Sequence, residues 1–107
     1  GNALMEYAYQ IARWHHERWD GKGYPDGLKG NQIPIAAQVV SVADVYDALT
    51  SVRVYKDAIP HKEAIQMILD GKCGEFNPLL LDCLLEVQDR IAETLARPAD
   101  VVAFPTI

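Results

Sequence analysis

The apolar residues of this chain recur at helical spacing in four segments that are separated by proline, glycine and polar residues. In the first segment, from Ala3 to about Arg18, apolar positions follow one another at intervals of three or four and lead to His15. We therefore predict a helix whose apolar stripe carries His15 toward the core. His16 belongs to the neighbouring row and points to one side of that stripe.

The second segment begins near Pro34 and continues to about Ser51. Proline is favoured in the first turn of a helix, and this segment is apolar almost all round, so we predict a helix in the centre of the fold. Asp44 and Asp47 are the exceptions. They lie three residues apart on one face, where a buried carboxylate needs a cation or hydrogen-bond donors to compensate its charge. For Asp47 we predict that it braces a neighbouring cation.

Two further helices are predicted in the second half. One begins near Pro60 and ends at Gly71, and the other begins at Asn77-Pro78, an N-cap residue followed by a first-turn proline. Aspartate would serve equally well as the cap at this position. The fold class predicted is all-α, a bundle of about four helices with a glycine-rich loop between the first two.

Composition places the chain among ordinary globular proteins. It has 107 residues, the length of one small domain, and is 50% hydrophobic and 23% charged. No apolar run approaches the roughly 18 residues that a membrane span requires. The net charge of −5 argues against affinity for duplex nucleic acid or anionic lipid. We expect a cytoplasmic protein with reduced cysteines, in which Cys83 is a small buried residue on an apolar helix face.

Candidate chemistry is concentrated where the first predicted helix meets the loop. His15 and His16 stand beside Glu17, and the next ten-residue stretch from Gly21 to Gly30 contains four glycines and one proline. Side chains of adjacent helical residues diverge by about 100°, so neighbouring imidazoles suit two metals better than chelation of one. We expect Asp20 and Asp26 to accept backbone hydrogen bonds in turns, and His61 to be solvated.

The run HHERWDGKGYPDGLKG followed by IPIAAQVVSVADVYDALTSVRVYK resembles the second half of an HD-GYP domain. This branch of the HD phosphohydrolase superfamily hydrolyses the bacterial messenger cyclic di-GMP. The resemblance covers residues 14–85. The family's opening half carries a His-Asp pair, a lysine and a further histidine that nothing before Trp14 supplies. The chain thus resembles the C-terminal part of one such domain.

The resemblance implies that His15, His16 and Asp44 are metal ligands. In the complete domain they would serve two or more iron or manganese ions, which would polarise a phosphoryl oxygen and activate water. Two octahedral metals need about twelve donor positions, so three protein side chains predict weak metal binding, or none, and no catalysis by this chain alone.

Substrate contacts implied by the resemblance involve Arg53 and Lys56 for phosphate and the Gly23-Tyr24-Pro25 loop for shaping the cleft. Each has a structural alternative. The two cations can simply occupy a helix end, where the dipole favours positive charge, and the loop can simply turn the chain and bury Tyr24.

Two functional hypotheses follow from the sequence. In the first, the chain is part of a metal-dependent cyclic di-GMP phosphodiesterase in signal transduction. In the second, it is a non-catalytic interaction or regulatory module that offers its Gly-Tyr-Pro surface to a signalling protein. A homodimer that covers the apolar area exposed by a divided domain is compatible with both.

Overall fold

The computed structural model describes residues 2–52 and 56–95, which form four α-helices and no β-strand. The predicted all-α fold class is therefore confirmed. The glycine-rich segment connects the first two helices and contains one short 3-10 turn, Gly30–Gln32. The helices are α1 (Ala3–Trp14), α2 (Ile35–Thr50), α3 (His61–Leu69) and α4 (Pro78–Leu95). Arg53 and the C-terminal segment from residue 96 lie outside the described residues.

Helix α1 begins at an N-cap, Asn2, whose side-chain oxygen accepts a hydrogen bond from Met5 N at 2.8 Å. It ends at Trp14, earlier than the predicted Arg18. The guanidinium of Arg18 bonds instead to the carbonyl oxygens of His15 and Glu17, at 3.3 and 3.1 Å. These contacts stabilise a turn where the apolar pattern alone suggested that the helix continued.

The expectation that the apolar stripe of α1 carries His15 to the core is met only in part, because that stripe is itself largely uncovered. Helix α1 packs against α2, but no side chain of α1 is fully buried, and Leu4 is 75% exposed. His15 is half-buried. Periodicity identifies which face of a helix is apolar, but it does not show whether another element covers that face.

Helix α2 occupies the central position that its composition predicts, since it packs against both α1 and α3, and α3 packs against α4. One apolar cluster joins α2, α3 and α4 at the centre of the described chain. Its buried members are Val42, Ile65, Ile68, Phe76 and Leu84. Burial is still incomplete around α2, where Val39 remains 50% exposed. The core is therefore formed mainly by α3 and by the facing sides of α2 and α4.

The C-terminal end of α3 and the N-terminal start of α4 follow the local signals in the sequence. Gly71 has a φ of +74° just after α3, a backbone conformation that favours glycine. Asn77 caps α4 by accepting a hydrogen bond from Leu79 N at 3.0 Å. Cys83 is exposed rather than buried, because the apolar face of α4 on which it lies is not covered at that point by any described element.

None of the helices in the described ranges, 2–52 and 56–95, combines the length and apolar character needed to cross a membrane.

Candidate functional site

The two adjacent histidines lie together just after the last turn of α1, with ring centroids 4.0 Å apart. His15 Nδ1 is 2.7 Å from the carbonyl oxygen of Ile11. Because a carbonyl oxygen can only accept, neutral His15 carries its proton on Nδ1 and keeps the lone pair of Nε2 free. This is the arrangement found in metal-bound histidines whose other ring nitrogen donates to a carbonyl group.

His16 is also held in a form suited to ligation. The pKa of His16 is lowered, first by burial, then by the neighbouring His15 and by Arg18, while the charge of Asp44 acts in the opposite direction. A lowered pKa favours the neutral imidazole, which is the form that binds metal. The surroundings of both rings are therefore compatible with the neutral imidazole that binds metal.

Asp44 differs from the expectation of a carboxylate buried on a central helix. Its side chain is exposed, because the face of α2 that carries it is not covered by another described element. Its charge nevertheless acts on His16, which places the two residues in one electrostatic neighbourhood. Asp47, further along α2, accepts a hydrogen bond from Ser51 Oγ at 3.2 Å. The predicted bracing of a cation by Asp47 stays a prediction.

Glu17 is the residue whose role sequence reasoning missed. Its side chain is only 2% exposed, and its carboxylate accepts hydrogen bonds from three successive backbone amides of the loop. Oε1 accepts from Asp26 N at 2.6 Å and Gly27 N at 3.0 Å, while Oε2 accepts from Leu28 N at 2.8 Å. The signal in the sequence was an acidic residue just before a glycine-rich loop, whose unpaired amides need acceptors.

The loop passes directly over the backbone that carries the histidines. A Cβ atom at Gly23 would lie 2.5 Å from Arg18 N and 2.6 Å from Glu17 Cα, so only glycine fits there. The next residue, Tyr24, donates its backbone N–H to His16 O at 3.3 Å. The Tyr24–Pro25 peptide bond is cis.

Tyr24 is 61% exposed, so the structural alternative in which the loop buries it is wrong. Its ring stacks on His16 instead, with centroids 4.9 Å apart and an interplanar angle of 18°. The structure therefore brings the Gly-Tyr-Pro loop and the histidine pair into one site. One face of the Tyr24 ring packs on His16, and the rest of the side chain is largely exposed to solvent.

Two aspartates of the loop behave differently from each other. Asp20 accepts a backbone hydrogen bond from Lys22 N at 3.0 Å, as predicted for a turn residue. Asp26 instead binds side chains of α1. It pairs with Arg13 through contacts of 2.9 and 3.0 Å and accepts a bond of 2.7 Å from Trp14 Nε1. These bonds lower the pKa of Asp26 and fasten the loop to α1.

Lys56 lies at the carboxyl end of α2. Its ammonium group donates to the backbone oxygens of Leu49, Ser51 and Asp57, at 3.1 to 3.2 Å. This arrangement is the one expected of a cation at the negative end of a helix dipole, and it supports the structural alternative for Lys56. Arg53, its predicted partner in phosphate binding, is outside the described residues.

His61 is half-buried rather than solvated. Its Nδ1 atom shares a hydrogen bond of 2.8 Å with the hydroxyl of Tyr46, which ties the start of α3 to α2. Its Nε2 atom is buried and has no partner in the described part of the chain. Burial raises the pKa of Tyr46. Neither residue faces the histidine pair in any contact that the structure records.

As a metal centre, the site contains suitable ligands but not a complete set. The tautomer of His15 and the lowered pKa of His16 both fit a divalent transition metal. In residues 2–52 and 56–95, however, no group of three or more His, Cys, Asp or Glu side chains is placed to hold an ion. The two histidines suit a divalent metal ion, and further ligands would be needed to complete its coordination shell.

Comparison with known proteins identifies the family. The HD domain model matches residues 3–78. Over 98 residues the chain is 45% identical to a probable cyclic di-GMP phosphodiesterase of Vibrio cholerae, covering 92% of this chain and 22% of that protein. A cyclic di-GMP phosphodiesterase of Thermotoga maritima is 40% identical over 99 residues, which are 91% of this chain and 26% of the relative.

A 3'3'-cGAMP-specific phosphodiesterase of Vibrio cholerae is 43% identical over 86 residues, covering 80% of this chain and 16% of that protein. The chain thus spans between 16% and 26% of the length of these relatives. The matched segment contains the histidine pair, the Gly-Tyr-Pro loop and Asp44 within its 3–78 range. The chain belongs to the HD domain family, and its identification from sequence as a piece of an HD-GYP domain is confirmed.

Proposed function

We propose that this chain is the C-terminal part of an HD-GYP domain that hydrolyses cyclic di-GMP in bacterial signal transduction. The observation that carries the proposal is the pair His15 and His16, whose rings lie 4.0 Å apart, with His16 stacked on the Tyr24 ring of the Gly-Tyr-Pro loop. The names of the relatives, which are phosphodiesterases of cyclic dinucleotides, support the same reaction class.

In this proposal His15, His16 and Asp44 contribute ligands to two or more iron or manganese ions. The HD phosphohydrolase family depends on divalent metal ions in its complete domain. The chemistry that such a centre supplies is polarisation of a phosphoryl oxygen and activation of water. The carboxylate of Asp44 is exposed, and the proton of neutral His15 on Nδ1 leaves the lone pair of its Nε2 available to a metal ion.

The substrate is recognised through phosphate contacts from Arg53 and Lys56 and through the loop of Gly23, Tyr24 and Pro25. A guanidinium binds a phosphodiester as a fork, and an ammonium binds it as a point charge. Contact with Lys56 requires its ammonium to exchange carbonyl partners for phosphate oxygens. One relative is named as specific for 3'3'-cGAMP, so a second cyclic dinucleotide belongs in every assay.

The chain alone is proposed to be inactive, because its described residues do not bring three metal ligands together. Such a signalling enzyme works in the cytoplasm. The corresponding experiment incubates the chain, and a protein that carries it within a complete domain, with manganese or iron(II) and cyclic di-GMP. Chromatography should show linear product only with the complete domain. Steady product from the chain, abolished by His15→Ala and His16→Ala, would show that the chain is itself an enzyme.

The second candidate is a non-catalytic interaction module. It is favoured by the exposure of Tyr24, at 61%, on a loop that is firmly held by the rest of the chain. A signalling protein could dock on such a surface with little loss of conformational entropy. This candidate predicts that the complete domain retains neither metal nor hydrolase activity, which the same experiment measures.

A further inference from the structure

Glu17 lies between the histidine pair and the loop, and the family resemblance assigned it no role. We propose that Glu17 is a positioning residue, whose buried carboxylate holds the Gly23-Tyr24-Pro25 loop against His16. The inference rests on the proposed function, since it takes His16 to be part of the metal site. What is proposed is only where the loop lies relative to the imidazole ring of His16.

The hydrogen bonding of Glu17 excludes a simpler role as a third ligand in the arrangement observed. Both carboxylate oxygens are engaged by the amides of Asp26, Gly27 and Leu28, at 2.6 to 3.0 Å. The side chain is 2% exposed. A buried carboxylate is stable only when donors compensate its charge, and these amides do so. A metal bond would have to displace them, leaving backbone donors without acceptors.

The same bonds determine where Tyr24 lies. The loop is fixed on one side of Tyr24 at Gly23, which sits against the backbone of Glu17 and Arg18. On the other side it is fixed at residues 26–28 by the carboxylate. With both sides held, the backbone of Tyr24 is placed beside His16, and the two rings stack with centroids 4.9 Å apart.

The substitution that tests this is Glu17→Gln, which keeps the shape and removes the charge. The side-chain oxygen of glutamine can accept hydrogen bonds from only some of the backbone amides of residues 26–28, which form the amide row. Its NH2 group then faces a backbone N–H, and two donors repel. NMR of the purified chain, without metal or nucleotide, reports the result. In the parent chain the stacked Tyr24 ring should produce a ring-current shift on the His16 ring protons. Tyr24→Leu provides the reference in which that shift is lost.

We expect Glu17→Gln to lose most of this ring-current shift and to approach the Tyr24→Leu spectrum, while the core methyl signals of Ile68 stay in place. The matched control is Asp20→Asn, because Asp20 also accepts a loop amide but is not part of the amide row at residues 26–28. The Asp20→Asn variant should keep the ring-current shift on the His16 ring protons. If Glu17→Gln also keeps the full shift, the positioning role is wrong, whatever the complete protein hydrolyses.

Hydrogen exchange provides a second measurement that remains decisive if the variant fails to fold. In the unsubstituted chain, the amides of Asp26, Gly27 and Leu28 should exchange roughly tenfold to a hundredfold more slowly than free amides, as expected for bonds to a charged acceptor. Lys22 N, which bonds to the exposed loop carboxylate of Asp20, is the internal comparison. Unprotected exchange at residues 26–28 would overturn the proposal without any substitution.

Discussion

Asn77 donates a hydrogen bond from its side-chain amide to Oε1 of Gln38 over 3.0 Å, and thereby ties the cap of α4 to the buried interior of α2. Gln38 is 7% exposed and uses its own NH2 group on Ile33 O at 2.8 Å. Aspartate could cap the helix equally well, but it could not donate this bond. The cap position is therefore less permissive than its local sequence suggests.

We predict that Asn77→Asp lowers the free energy of unfolding by about 1–2 kcal/mol, because a carboxylate would face the acceptor oxygen of Gln38. Rotating the Gln38 amide does not help, since its oxygen would then face Ile33 O. Urea unfolding measures the change. Asn31→Asp, the same substitution at an exposed residue, is the control and should stay within about 0.5 kcal/mol. Equal stability of the two variants would show that the bridge contributes nothing.

Gly23→Ala should displace the loop from the histidine pair. The new Cβ would meet backbone atoms of Glu17 and Arg18, which cannot move aside as a side chain can. We expect a loss of about 1–3 kcal/mol in unfolding free energy, as for other overpacked sites, and loss of the Tyr24 ring-current shift on His16.

Gly30→Ala is the control for the Gly23 substitution. Gly30 has a φ of +58°, so alanine is strained there, but no atom lies within 4 Å of the added Cβ. This variant should lose stability through its backbone and still keep the contact between Tyr24 and His16. Loss of the contact in both variants would mean that general loop strain, and not the close approach at Gly23, controls the position of Tyr24.

The pH dependence of the chain should include a step from Asp26. Hydrogen bonds from Arg13 and Trp14 lower the pKa of this carboxyl below the usual range of an aspartate. A lowered folded-state pKa stabilises the fold above the unfolded pKa, and this contribution is lost as the pH falls through the folded pKa. The Trp14 indole N–H resonance should therefore remain in its bonded position until the pH is below about 3.9, the usual pKa of an aspartate. A midpoint at or above that value would contradict the bonding that the structure shows.

We predict that the chain self-associates. Helices α2 and α4 border an apolar groove with a volume of about 390 Å³. The residues that line it are Val39, Val42, Ala43, Tyr46, Leu80, Cys83, Leu84, Val87 and Ile91. An open apolar groove of this kind favours association. Sedimentation across a wide concentration range should detect dimers, and a monodisperse monomer of 11.9 kDa at high concentration would contradict the prediction.

Val39→Lys tests where association occurs, because Val39 lies in the groove and is 50% exposed. A charge at this position should weaken self-association without harming the fold. The matched control is Val52→Lys, at a residue that is 75% exposed and is not among those lining the groove. If both variants associate like the parent chain, the contact lies elsewhere.

The sequence was sufficient to predict the helix ends that are determined by neighbouring residues. Pro34, Gly71 and Asn77 act on the residues next to them, and the helix ends that they predicted agree with the structure to within about two residues. The end of α1 was missed because the turn that follows it depends on the Arg18 side chain and on contacts of Glu17 with residues nine to eleven positions away. His61 was misjudged for the same reason, since Tyr46 lies 15 residues before it.

The candidate site was predicted through motif recognition more than through physics. Two adjacent histidines before a glycine-rich loop indicate a metal centre, but no spacing rule shows that Tyr24 lies on His16 or that Asp44 is exposed. Those facts depend on how α1, the loop and α2 pack. Likewise, the period of α4 predicted an apolar face for Cys83, while its exposure depends on what covers that face.

Asp44→Asn gives the most direct test of the central claim, that this chain carries ligands of a phosphodiesterase metal centre. Because Asp44 is exposed, the substitution should change the unfolding free energy of the metal-free protein by no more than about 0.5 kcal/mol. The matched control is Asp82→Asn, at an exposed residue of α4. Both changes are made in a protein that carries this chain within a complete domain, and bound metal and cyclic di-GMP hydrolysis are then measured together. We predict that Asp44→Asn reduces metal affinity at least about tenfold and removes hydrolysis, while Asp82→Asn changes neither. Full metal content and an unchanged rate in Asp44→Asn would contradict the account.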